Sequence, residues 1–141
     1  MSLRRLNRVA LPIACFVLAG CGGSGGSGVS RFAGHYTGAY ASTATDNDDE
    51  GTLDVVVAND GTISGTVTDS RMTDVGTVVP SSRIRSSGEV DLSVSFGSPL
   101  AITRISAGTF ARSGDTVTGT LNEFMGDLTE SFDYTLTRVA D

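Results

Sequence analysis

Lysine and tryptophan are absent from this 141-residue chain, and histidine occurs once. With His35 alone, no multi-histidine zinc site can be built. A Ser/His/Asp nucleophilic site would have to use His35, and no Gly-x-Ser-x-Gly elbow accompanies it. Cysteine occurs only as Cys15 and Cys21, so everything after residue 21 must fold without a disulfide. Long apolar runs are missing too. The longest, residues 9–19, is too short for a spanning helix, which needs roughly 20 apolar residues. Positive charge is scarce in the same region: three of the ten basic residues precede Cys21 while all sixteen acids follow it, so the rest carries a charge near −9. That balance is repelled by phosphate backbones and anionic headgroups, which excludes nucleic-acid partners and argues against a polybasic membrane patch.

What is present begins with a basic segment, Met1–Arg8, followed by the apolar stretch VALPIACFVLA and then Leu18-Ala19-Gly20-Cys21. Charge, apolar length, small residues and the Cys at this distance from Met1 resemble the signal peptide and lipobox of bacterial lipoproteins. The resemblance implies that residues 1–20 are removed and that Cys21 is acylated on sulfur. A single acyl chain holds a bilayer only marginally, so the two or three chains such a cysteine receives are what makes the anchor stable. Gly22, where an Asp would favour inner-membrane retention, implies the outer membrane in a diderm host. Residues 21–30 form the acylated Cys and a Gly/Ser linker, whose nine residues after the Cys span about 15–18 Å. The folded domain is expected over 31–141.

That domain shows no sustained helical period. Short alternating Thr- and Val-rich segments recur between Gly, Asn, Asp and Ser clusters, which predicts an all-β fold. The expected class is an antiparallel up-and-down meander closing into a small, roughly eight-stranded barrel, with a β-sandwich as the alternative. Strands are expected near 34–43, 51–58, 62–69, 75–85, 89–96, 100–111, 115–123 and 130–139, the fourth broken at Pro80. Turn chemistry sets three registers. Asn59-Asp60-Gly61 as a three-residue loop puts Val57 opposite Ile63, Val55 opposite Gly65 and Leu53 opposite Val67. Ser86-Ser87-Gly88 puts Ile84 opposite Val90 and Arg83 opposite Asp91. Ser113-Gly114 as a two-residue turn puts Phe110 opposite Val117, Gly108 opposite Gly119 and Arg112 opposite Asp115. Continuing inward from Phe110 would place Arg104 inside the barrel, so a register-flipping bulge near Ser106–Gly108 is expected. The segments 63–67 and 117–121 echo each other, each with an inward Gly between inward aliphatics.

Gly34-His35-Tyr36 on the first strand and Phe132 to Arg138 on the last resemble the opening and closing strands of calycins, the lipocalin-like barrels. There an aromatic ring on the first strand packs on a basic side chain of the last. The resemblance implies a Tyr36–Arg138 pair, worth ~0.5–2 kcal/mol as a cation–π contact, and a cup with one mouth. The seventeen inward side chains of medium or large size are enough to fill such a barrel, so a packed interior is expected.

Asp46-Asn47-Asp48-Asp49-Glu50-Gly51 resembles the first half of an EF-hand calcium loop, with Asp46, Asp48 and Glu50 at the ligand positions. Val57 stands where the bidentate Glu belongs and no helices flank the run, so a full EF-hand is excluded. What remains is a loose calcium site at Asp46, Asp48 and Glu50, or simply a solvated loop. Glu123, Asp127 and Glu130 bracket a second acidic loop, without the cleft a glycosidase needs. Together these readings predict a non-catalytic, lipid-anchored envelope module. Its partners would be the membrane, through acyl chains on Cys21, and an envelope protein or small ligand met by loops 44–50 and 122–130. The alternative is a structural protein with a packed barrel and no ligand site.

Overall fold

A computed structural model describes residues 28–97 and 102–140. The expected signal peptide and lipobox, with Cys21, lie outside the described residues. A 3-10 helix, Val29–Phe32, is followed by ten strands: β1 (Gly34–Ser42), β2 (Glu50–Val57), β3 (Ile63–Asp69), β4 (Gly76–Val78), β5 (Arg83–Ile84), β6 (Glu89–Phe96), β7 (Ile102–Thr109), β8 (Ala111–Ser113), β9 (Thr116–Met125) and β10 (Leu128–Arg138). All pairings are antiparallel, and β10 pairs with both β9 and β1, so β1-β2-β3-β4-β6-β7-β9-β10 close into an eight-stranded barrel. The short strands β5 and β8 lie off this path, on β6 and β9. The barrel decides against the sandwich. The break at Pro80 separates β4 from β5, since Pro has no N–H to give a ladder.

Alternation drives the closure. Leu53, Val55 and Val57 on β2 and Val90, Leu92, Val94 and Phe96 on β6 are buried, with polar or exposed neighbours between them. The first two expected hairpins have the registers derived from their turns: Val57 pairs with Ile63 and Leu53 with Val67, and Ile84 pairs with Val90 and Arg83 with Asp91. The third does not. Ser113 pairs with Thr116 and Arg112 with Val117, so the turn is Gly114-Asp115, with Gly114 at φ +62. The shift is two residues, which leaves every side chain on its expected face.

The expected bulge near Ser106–Gly108 is absent. β7 pairs with β6 without interruption from Glu89↔Thr109 to Phe96↔Ile102, and with β9 in the register that β8 continues. Arg104 therefore points inward, and Ile105 outward. Gly65 and Gly119, the inward glycines of the two echoing segments, are close-approach points. A Cβ would lie 2.1 Å from the Asp54 carbonyl oxygen at Gly65 and 1.9 Å from that of Thr109 at Gly119.

The two ends of the barrel differ. Val29–Phe32 plugs the end where β1 starts, so Val29 and Ser30 belong to the folded unit rather than to the linker. Phe32 packs edge-on against Phe110 (5.5 Å, 81°), and Phe110 edge-on against Tyr36 (5.4 Å, 85°). The Tyr36 hydroxyl donates to the Phe32 carbonyl at 2.9 Å, which satisfies the polar tip of a fully buried ring. The opposite end carries charge.

Candidate functional site

At the end opposite the plug, the inward faces of three strands carry ionisable residues. Along β3 the inward series Ile63, Val67 ends in Asp69; along β9, Val117, Leu121 ends in Glu123; β7 supplies Arg104. Asp69 and Glu123 are buried. Arg104 bridges them, one guanidinium nitrogen on Asp69 Oδ2 and Nε 3.1 Å from Glu123 Oε1. Arg71, on the loop after β3, binds the same Asp69 through its backbone N–H (2.8 Å) and its guanidinium (3.3 Å), and reaches Asp49 at 2.5 Å and Glu130 at 3.2 Å. The Tyr40 hydroxyl shares its proton between Asp69 Oδ2 (3.0 Å) and the Thr68 carbonyl (2.9 Å). The guanidinium groups also sit over rings, Arg71 over Phe132 (5.8 Å) and Arg104 over Phe96 (5.6 Å). This layer spans the ionic end as a lid.

Its charge does not balance: the carboxyls of Asp49, Asp69, Glu123 and Glu130 face two guanidinium groups. The excess falls on Glu123. Its Oε1 is buried and lacks an aligned hydrogen bond, because the Arg104 Nε–H is near it but does not point at it. Burial pushes the Glu123 carboxyl above the usual carboxylate range, against the opposing pull of Arg104 and Arg71. Burial acts the same way on Asp69, yet its bonds to Arg71 and the charge of Arg104 outweigh that and hold it below its ordinary range. The Tyr40 hydroxyl is raised, by burial first and then by the Asp69 charge.

Beneath the lid lies a cavity of about 40 Å³ lined by Tyr40, Arg104, Ser106 and Glu123 and by apolar walls. A second, of about 30 Å³, is wholly apolar between Leu53, Phe110 and Leu121. Ligand pockets are about 300–1,000 Å³, so the interior of the described barrel is packed; the first void suits ordered water beside Glu123.

This end exposes apolar side chains on both rows of its wall, Phe124 and Ile105 outward and Met125, Leu128 and Ile102 on the inward rows at the rim. Seven large hydrophobics among the described residues are exposed, and all but Val56 lie toward the ionic end: Val75, Ile102, Ile105, Phe124, Met125 and Leu128. The β9–β10 hairpin concentrates them. Ile105 is the register partner of Phe124, and Met125 of Leu128, around the turn Gly126-Asp127. Phe124 is 50% exposed and Leu128 69%, at the tip of segment 122–130.

The residues singled out from sequence fall as follows. Asp46, Asp48 and Glu50 are exposed. It is their neighbours that turn inward: Asp49 to Arg71, and Asn47 through its amide to Glu130. Among the described residues no group of three or more His, Cys, Asp or Glu side chains is placed to hold a metal. Tyr36 and Arg138 are register partners across β1 and β10. Gly34 lies between their side chains: a Cβ there would be 2.9 Å from Arg138 Nε and 3.4 Å from the Tyr36 ring. His35 is on the outer face, 2.7 Å from Asp54 Oδ1. Sequence reasoning missed the ionic lid, although Asp69, Arg104 and Glu123 each continue an inward alternation. No protein-family model, curated protein or solved structure matches the chain.

Proposed function

We propose that this chain is a bacterial envelope lipoprotein, anchored by acyl chains on Cys21, whose small barrel is a non-catalytic module for contact with another envelope protein. The observation that carries the contact surface is the gathering of exposed Phe124, Met125, Leu128, Ile105 and Ile102 at the ionic end. Large apolar side chains left exposed together at one end mark an interaction site. The exposed acids Asp46, Asp48, Glu50 and Asp127 keep that surface soluble and select a partner of complementary charge. The packed interior favours recognition on the outside of the barrel over a ligand held within it, and the closed antiparallel meander is compatible with calycin-like ancestry. Gly22 after the Cys favours the outer membrane.

Two measurements test this reading. Mass spectrometry of the mature protein is expected to show acyl mass on Cys21, absent in Cys21→Ser; an unmodified wild-type thiol refutes the anchor. A photo-crosslinking residue at Leu128 or Phe124, in cells, is expected to give a discrete adduct that the same residue at Val56 does not. Equal labelling at all three sites refutes the contact surface.

A further inference from the structure

The seven arginines after Cys21 are segregated. Five (Arg31, Arg83, Arg85, Arg112 and Arg138) lie toward the plugged end, while nine of the sixteen acids lie in the ionic-end segments 46–50, 69–74 and 123–130. Their states of pairing differ as well. Arg71 and Arg104 at the ionic end are each bound by carboxylates, whereas among the described residues Arg31 and Arg112 have none within 4.0 Å. These two line one cleft of about 630 Å³, together with Phe32, Ser87, Gly88 and Phe110. Both guanidinium groups are held by backbone carbonyls, Arg31 on Ser86 (2.8 Å), Arg112 on Gly114 (2.8 Å) and on Arg31 itself (2.7 Å). A guanidinium has five N–H donors, so each keeps donors for an anion after these bonds.

We propose that the Arg31–Arg112 cleft takes the phosphate of an anionic phospholipid headgroup, so that the barrel stands with its plug on the bilayer. Resting on the lipoprotein reading, this follows from where the chain goes. Gly28, the first described residue, is at this end, and only residues 22–27 separate it from Cys21, a reach of about 12–15 Å for a Gly/Ser sequence of that length. A headgroup is therefore the phosphate at highest local concentration. Guanidinium and phosphate match in geometry and charge, while Phe32 and Phe110 give the cleft an apolar floor for the glycerol carbons. The acidic end is repelled by the same anionic surface, which adds to the orientation and leaves the Leu128 hairpin facing away. The charge near −9 after Cys21 falls mainly on the ionic end, where nine acids meet two arginines, while at the plugged end the five arginines are largely offset by Asp60, Glu89, Asp91 and Asp115.

The test uses the mature acylated protein in vesicles. Once Cys21 is acylated, Asn59→Cys at the plugged end and Asp127→Cys at the ionic end each introduce a single free thiol for a fluorophore, read by quenching from spin-labelled lipid. On phosphatidylcholine with phosphatidylglycerol, the label at 59 is expected to be quenched much more than the label at 127. The difference is expected to collapse in pure phosphatidylcholine, and in Arg31→Gln/Arg112→Gln, since each arginine is worth about fivefold in docked population. Equal quenching at both sites, or a difference indifferent to lipid charge and to the double variant, overturns the proposal. Inorganic phosphate added to pure phosphatidylcholine vesicles is expected to change nothing; a response to phosphate alone assigns the cleft to the free ion and overturns the headgroup assignment. Acyl mass on Cys21 in the same sample separates failure of this orientation from failure of the anchor.

Discussion

Glu123→Gln is expected to stabilise the protein at neutral pH. Glu123 is 5% exposed, its Oε1 has no aligned donor, and it shares two guanidinium groups with three other carboxyls. A buried polar group left without a hydrogen bond costs about 1–3 kcal/mol. Gln keeps the shape and drops the charge, while Arg104 retains Asp69. Taking the lower end, because the amide must also find partners beside the cavity, the gain is about 1 kcal/mol, or about 4 °C in Tm. The pH dependence has a definite sign. Because the folded-state pKa of Glu123 is raised, the folded wild type binds its proton more tightly than the unfolded chain does. That contribution is fully present below the unfolded value, about 4.3, and is lost as pH rises through the folded value. The advantage of Gln over wild type therefore grows across that window and is constant above it. Asp69, lowered in both proteins, contributes stability that fades as pH falls, and this cancels in the difference. Urea denaturation of the mature protein, followed by tyrosine fluorescence from pH 3 to 8, reads the comparison. A variant less stable than wild type at pH 7, or a gain equally large at pH 3, refutes the account of Glu123 as the surplus charge.

Other outcomes are expected at separate sites. Phe32→Ala removes the plug and should cost about 3–5 kcal/mol by the same titration; a loss below 1 kcal/mol would mean the plug contributes little. Gly119→Ala drives a methyl into the Thr109 carbonyl and should cost about 1–3 kcal/mol or more, with Tm near wild type as the refuting result. Leu128→Asp should leave stability within about 0.5 kcal/mol while abolishing the photo-crosslinked adduct at Phe124; an unchanged adduct places the contact elsewhere.

Much of this architecture was legible in the amino-acid order. Side-chain parity and turn chemistry identified the inward face of the long strands other than β7 and two of three hairpin registers. The third failed for a definable reason: Ser113-Gly114 and Gly114-Asp115 are both acceptable two-residue turns, and a slip of two residues conserves parity, so the hydrophobic pattern is blind to it. Arg104 shows the opposite failure. Parity placed it inside, and the expected cost of burying a charge argued it out again through a bulge. What repays that cost, Asp69 and Glu123, sits 35 residues before it and 19 after, and only barrel closure brings the three together. Phe32 was invisible because it belongs to no periodic segment. In the acidic run Asp46 to Glu50, the calcium pattern drew attention to alternate positions while the lid uses Asn47 and Asp49 between them.

The interruption at Pro80 also bears on how the barrel opens. β4 makes two register pairs with β3 and two with β6, whereas β9 and β10 share ten. A closed hoop of hydrogen bonds yields where it is thinnest, so the wall should breathe along residues 70–85, with amide exchange there outpacing that of β9 and β10. Each such opening briefly frees the margins of β3 and β6 as a template for a neighbouring chain. With no disulfide after residue 21 to staple that gap, it is the route by which crowding would drive self-association.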